Sequence, residues 1–236
     1  ALAMILEGNE KGDLAFDLSE LKFPVKITNY DVQTAQQQFH QFSQGLKISS
    51  SRAEYFNQTG LANIVVRELM KSSDLAGRVE VVRNSISKND ERHIVTFATL
   101  VNAIEIVYKD LETRVQALEL SKYLAEFFNE LINLMPELHN YEKRAKSKET
   151  SLLGENFMFY GYVAISKVLR EKENWKEYLP LVNELDLSKG SKQWYGDVIK
   201  RGKGKGYTIV NNNESRKTFA NKIEKMFKKL LNEKTA

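Results

Sequence analysis

The chain has 236 residues, 42% of them apolar and 28% charged, which is enough apolar material for a sizeable core and argues against wholesale disorder. No run approaches the roughly 20 consecutive apolar residues needed to span a bilayer, and the absence of cysteine excludes disulfides, cysteine nucleophiles and thiolate metal sites while being compatible with a reducing cytoplasm. The net charge of +4 hides an asymmetry: from Lys189 to Ala236, thirteen Lys and Arg face four Asp and Glu, a balance of +9 that leaves residues 1–188 at −5.

The opening "ALAMILEG" enters an apolar helical pattern with no N-cap residue, no Met at position 1 and no signal-peptide layout. A vector remnant before Met4 or a fragment would both explain it; Leu2, Met4, Ile5 and Leu6 call for a partner that a free terminus rarely has, so a fragment is expected. After a polar connector, Phe23, Val25 and Ile27 alternate as a strand over about 22–28, and Pro24 makes it an edge or a strand start. A helix over about 31–44 follows, with Asp31 as N-cap, Val32, Ala35, Phe39 and Phe42 on one face and Gly45 as its stop.

The serines of "KISSSRAEYFN" read as helix caps, and Leu61, Ile64, Val65 and Leu69 recur at helical spacing up to a break at Gly77. Val79 and Val81 predict a second short strand. Thereafter the pattern is helical. "HIVTFATLVNAIEIVYKD" is apolar enough for a core helix, and the next helix carries Val115, Leu118, Phe127, Leu131 and Leu134 until Pro136 stops it. "ELHNYEKRAKSKETS" reads as a polar loop, and "LLGENFMFYGYVAISKVLR", apolar nearly all round, as the centre of the core. "NWKEYLPLVNELDLS" is a short helix interrupted near Pro180 and "SKQWYGDVIKRG" a short amphipathic piece. The closing helix has a stripe of Phe219, Ile223, Met226, Phe227 and Leu230, with Lys222, Lys225, Lys228 and Lys229 around it.

The stretch "KRGKGKGYTIVNNNESRKTF" poses the functional question. Gly202, Gly204 and Gly206 alternate with Lys and are followed by Tyr207, which is neither a P-loop nor a dinucleotide fingerprint. Such a turn holds Arg201, Lys203 and Lys205 clear of the core, where they would meet a polyanion or only water. The +9 balance, with Trp194, Tyr195 and Tyr207 near the basic residues, favours nucleic acid. Lys88, Arg92 and His93 stand before the apolar helix, where a phosphate would be received, although Asp90 serves equally as that helix's N-cap. His40, His93 and His139 show no metal-ligand spacing, no G-x-S-x-G nucleophile motif occurs, and no acid/base pair emerges from spacing. Neither a metal nor a cofactor is expected.

Four stretches, "VQTAQQQFHQFSQGLKISSSRAEYFN", "NIVVRELMKSSDLAGRVEVVRNSISKNDERHIVTFATLVNAIEIVY", "ENFMFYGYVAISKVL" and "ELDLSKGSKQWYGDVIKRGKG", resemble in order the region downstream of the signature in DGQHR-domain proteins of the DndB type. The pattern is carried by Arg67-Glu68-Leu69, by Val79, Glu80, Ser85, Ile86, Ser87 and Lys88, and by Trp194 ahead of the basic turn Arg201–Gly206. The Asp-Gly-Gln-His-Arg signature itself does not occur in this sequence.

The resemblance implies an α+β, predominantly helical chain: the end of a ParB/sulfiredoxin-like α/β domain over 1–58, then a mainly helical domain over 59–236. It also implies a bacterial, cytoplasmic, DNA-binding regulator of phosphorothioate modification genes. DNA and other modification proteins are its expected partners, a homo-oligomer is compatible with it, and no membrane role is expected. The DNA contacts expected are Lys200, Arg201, Lys203, Lys205, Arg216, Lys217, Lys88 and Arg92, with no catalytic residue assigned. Two other readings stay open: support for a nuclease or nucleotide hydrolase whose signature lies upstream, and a protein-interaction module.

Overall fold

In the computed structural model, residues 29–42, 48–202 and 206–235 are described; the expected strand at 22–28 and the Gly45 stop lie outside them. Helix predominates among the described residues and the sheets are small, as an α+β, predominantly helical class requires. Residues 33–236 form one compact unit.

The order begins with α1 (Val32–Phe42), α2 (Ser50–Phe56) and α3 (Leu61–Ser72), followed by β1 (Val79–Glu80) and β2 (Val95–Thr96). It continues with α4 (Phe97–Val107), α5 (Arg114–Leu134), α6 (Pro136–His139) and α7 (Tyr141–Thr150). A 3-10 turn leads into α8 (Phe159–Arg170) and α9 (Trp175–Tyr178), then two further 3-10 turns, the hairpin β3 (Ile199–Arg201) and β4 (Tyr207–Ile209), and α10 (Asn213–Thr235).

Local chemistry accounts for the boundaries. Ser49 caps α2 by accepting from the Arg52 amide, and Thr113 with Gln116 forms a reciprocal capping box at the start of α5. Ten of the twelve residues of α8 are buried, so it is the centre of the core; α4 and α10 pack along it, and α3 packs on α5. Phe219, Ile223 and Phe227 of α10 are fully buried, and Leu231 extends the stripe. Gly161 permits the close approach of α8 and α10, since a Cβ there would lie 3.2 Å from both Ile223 Cγ1 and Phe219 Cε1.

Several expectations change. Asn140 caps the segment read as a polar loop, which is the helix α7; it has no apolar stripe because its buried side chain is Arg144. Val115 is 64% exposed and Leu118 37%, because the buried face of α5 runs through Ala117, Leu120, Leu124, Phe127, Phe128 and Leu131. Val32 and Phe39 are both exposed, although Phe39 packs its ring edge-on to Phe56 at 4.8 Å. The N-cap of α4 is Thr96 and not Asp90, because a parallel pairing of Val79 with Val95 and Glu80 with Thr96 intervenes before the helix starts.

Candidate nucleic-acid interface

The basic stretch folds as an antiparallel hairpin in register Ile199 to Ile209, Lys200 to Thr208 and Arg201 to Tyr207. Ile199 is buried and anchors it, leaving Lys200 and Arg201 exposed. The Gly202 amide donates to the Gly206 carbonyl at 2.9 Å beyond the last strand pair; Lys203 and Lys205 lie outside the described residues. Arg201 sits over the Tyr195 ring at 6.0 Å, and Tyr195 stacks on Tyr207 with centroids 6.5 Å apart. The neighbouring Tyr195 hydroxyl raises the Tyr207 phenol above its ordinary value. Trp194 belongs elsewhere: it is fully buried and packs 5.3 Å from Phe219, so its place is in the core and not among the exposed aromatics.

The hairpin passes directly into α10. Val210 donates its amide to Val198 at 2.8 Å, and the Ser215 hydroxyl donates to the Val210 carbonyl at 2.5 Å. Asn212 accepts from the Ser215 amide at 2.8 Å while its own amide donates to Ser215 Oγ, a reciprocal cap that fixes the start of the helix. Arg216 closes its first turn and Lys217 opens the second, near the end where the helix dipole is positive and cations are disfavoured, so an anion at this end would be doubly favoured. They line a cleft of about 510 Å³ with Asn102, Lys109 and Glu105. Partial burial and the nearby Glu54 carboxylate push the Glu105 carboxyl above its usual range. Arg216 Nε donates to Asn211 Oδ1 at 2.8 Å and its guanidinium lies over Tyr160 at 5.7 Å.

Lys88 is brought to the hairpin. It lines a second cleft, about 530 Å³, together with Tyr141, Arg144, Lys148 and Tyr207 of β4. Tyr141 donates to the Lys88 carbonyl at 2.9 Å, and Arg144 donates to the carbonyls of Asp90 and Glu91 at 3.1 and 3.0 Å, which shapes the turn. Burial lowers the Lys148 amine below its ordinary value. Arg92 points elsewhere, donating through Nε to Gly77 at 2.5 Å; Gly77 has φ 69° and no room for a Cβ under that guanidinium.

Three of the four lysines on the other basic face of α10 are paired, Lys222 with Asp197 at 3.0 Å, Lys228 with Glu224 at 2.7 Å and Lys229 with Glu233 at 3.7 Å, while Lys225 has no carboxylate in ion-pair range among the described residues. Sequence reading missed Arg144, Lys148 and Lys109. For the first two the available signal is their four-residue spacing, which places both on one helix face once 141–150 is recognised as helical.

A family model described as DndB, DNA-sulfur modification-associated, matches residues 1–230, nearly the whole chain. The chain belongs to the DndB family. Comparison with curated proteins returns no match, and neither does comparison with solved structures. Membership in the DndB family ties the chain to the DNA phosphorothioate modification system. Among the described residues, no helix is long and apolar enough to cross a membrane.

Proposed function

We propose that this DndB-family chain is a DNA-binding regulator of the modification system and holds the duplex by its backbone phosphates. The hairpin cations Lys200 and Arg201 and the helix-start cations Arg216 and Lys217 make these contacts, with Lys203 and Lys205, which lie between β3 and β4 in sequence, and Lys88 beside Tyr207 extending them. The observation that carries the reading is a division of labour among cations. Lys222, Lys228 and Lys229 are matched to carboxylates, whereas among the described residues Lys200, Arg201, Arg216 and Lys217 have no carboxylate in ion-pair range. Cations without an internal counterion are those that release small ions on meeting phosphate.

The test is fluorescence anisotropy with labelled duplex and single-stranded DNA over a salt series. Each lost phosphate contact lowers the slope of log K against log salt by about 0.9 on duplex DNA. Replacing Lys200, Arg201, Arg216 and Lys217 by Ala therefore lowers it by roughly 3.6, whereas Ala at Lys222, Lys228 and Lys229 leaves it nearly unchanged. No binding at low salt, or equal losses in both variants, would refute the assignment.

A further inference from the structure

Glu80, Asp90 and His93 come together where the β1–β2 pairing returns the chain on itself. Glu80 ends β1 with a side chain only 8% exposed. Its Oε1 accepts from the backbone amides of Val82 at 2.7 Å and Arg83 at 3.2 Å. Asp90 Oδ1 accepts in the same way from Arg92 at 3.1 Å and His93 at 2.9 Å. Each carboxylate thus has one oxygen committed to backbone, and the two remaining oxygens converge on one ring nitrogen. Asp90 Oδ2 lies 2.8 Å from His93 Nδ1 and Glu80 Oε2 lies 3.8 Å from it, with all the ligand atoms within 4.8 Å of one another.

A single proton on Nδ1 satisfies Asp90 and leaves Glu80 Oε2, on a side chain more than nine-tenths buried, without a hydrogen-bond donor among the described residues. A cation in place of that proton would serve all three groups. Ligand distances of about 2.0–2.2 Å set neighbouring ligand atoms roughly 3–3.5 Å apart; here the carboxylate oxygens lie 2.8 and 3.8 Å from the ring nitrogen and no pair exceeds 4.8 Å, so small side-chain shifts would close the set on an ion. We propose that Glu80, Asp90 and His93 form a binding site for a divalent first-row transition cation, one imidazole and two carboxylates being a donor set suited to Mn²⁺ or Zn²⁺. The ligands flank residues 81–89, so the ion fastens the turn carrying Lys88 to the strand pair. The site stands independently of the DNA assignment.

The experiment is calorimetric titration of the full chain with ZnCl₂ or MnCl₂ alone, repeated with Glu80→Gln and His93→Gln. One saturable site is expected in the wild type, weakened at least tenfold in each variant. In parallel, Mn²⁺ is added to the wild type and the imidazole proton signals of its three histidines are followed by NMR. His93 broadens selectively if the site exists, and this readout holds even if a variant folds poorly. Absence of saturable binding at millimolar metal, binding unchanged in both variants, or equal broadening of His40 and His139 would overturn the proposal.

Discussion

Substituting Gly161 with Val should uncouple the two helices at the centre of the protein. A Cβ at position 161 would lie 2.9 Å from Met158 Cε and 3.2 Å from both Ile223 Cγ1 and Phe219 Cε1. Ordinary carbon contacts are about 3.5–4.0 Å. Met158 can swing its terminal methyl aside, but Ile223 and Phe219 are fully buried and have nowhere to go. Forcing extra carbons into such a contact costs roughly 1–3 kcal/mol, and Val, bringing three, belongs at the upper end. Its better helix propensity returns only about 0.4 kcal/mol. The net loss of about 2.5 kcal/mol corresponds to a melting temperature lowered by roughly 5–10 °C for a chain of this size. Thermal unfolding followed by circular dichroism at 222 nm reads it directly. Gly161→Ala, whose propensity gain of about 1 kcal/mol offsets much of its crowding, should lie much closer to the wild type. A Gly161→Val protein that melts at or above the wild-type temperature would refute the close packing of α8 on α10.

Other outcomes follow from buried polar groups and caps. Lys189 is buried, donates to the Lys148 carbonyl and pairs with Glu155 at 2.6 Å; Lys189→Met strands that carboxylate and should cost about 2–3 kcal/mol in denaturant melts, with Glu155→Gln in the same chain recovering part of it. Thr113→Ala removes the capping box of α5 and should cost about 1 kcal/mol by the same assay. Burial pushes the Tyr160 phenol up to about 12, whereas unfolded tyrosines ionise near 10. The folded state therefore keeps that proton longer, so its contribution is whole below pH 10 and is lost as pH rises towards 12. Melts across this range should fall steadily, and less steeply in Tyr160→Phe. A flat profile would contradict the burial.

The helical identity of most of the chain was legible because its causes are local. Apolar spacing marks α3 and the Phe219–Phe227 stripe, unbroken apolarity marks α8, and Pro136 marks the end of α5. The basic end and the family pattern were legible for the same reason. α7 escaped because it packs through Arg144, a residue that composition assigns to solvent, and the buried face of α5 was misread because it begins on the small Ala117 beside the larger, exposed Val115.

The candidate interface was half legible. The sequence by itself determined where positive charge accumulates along the chain, since that is a matter of counting. Only the tertiary structure decided which cations remain available. Lys222 meets Asp197 from twenty-five positions away, while Trp194, adjacent to Tyr195 in sequence, turns inward onto Phe219. The convergence of Glu80 with His93 likewise depends on parallel strand pairing. Charge balance and burial are pairwise properties of residues distant in sequence, and no local pattern encodes them.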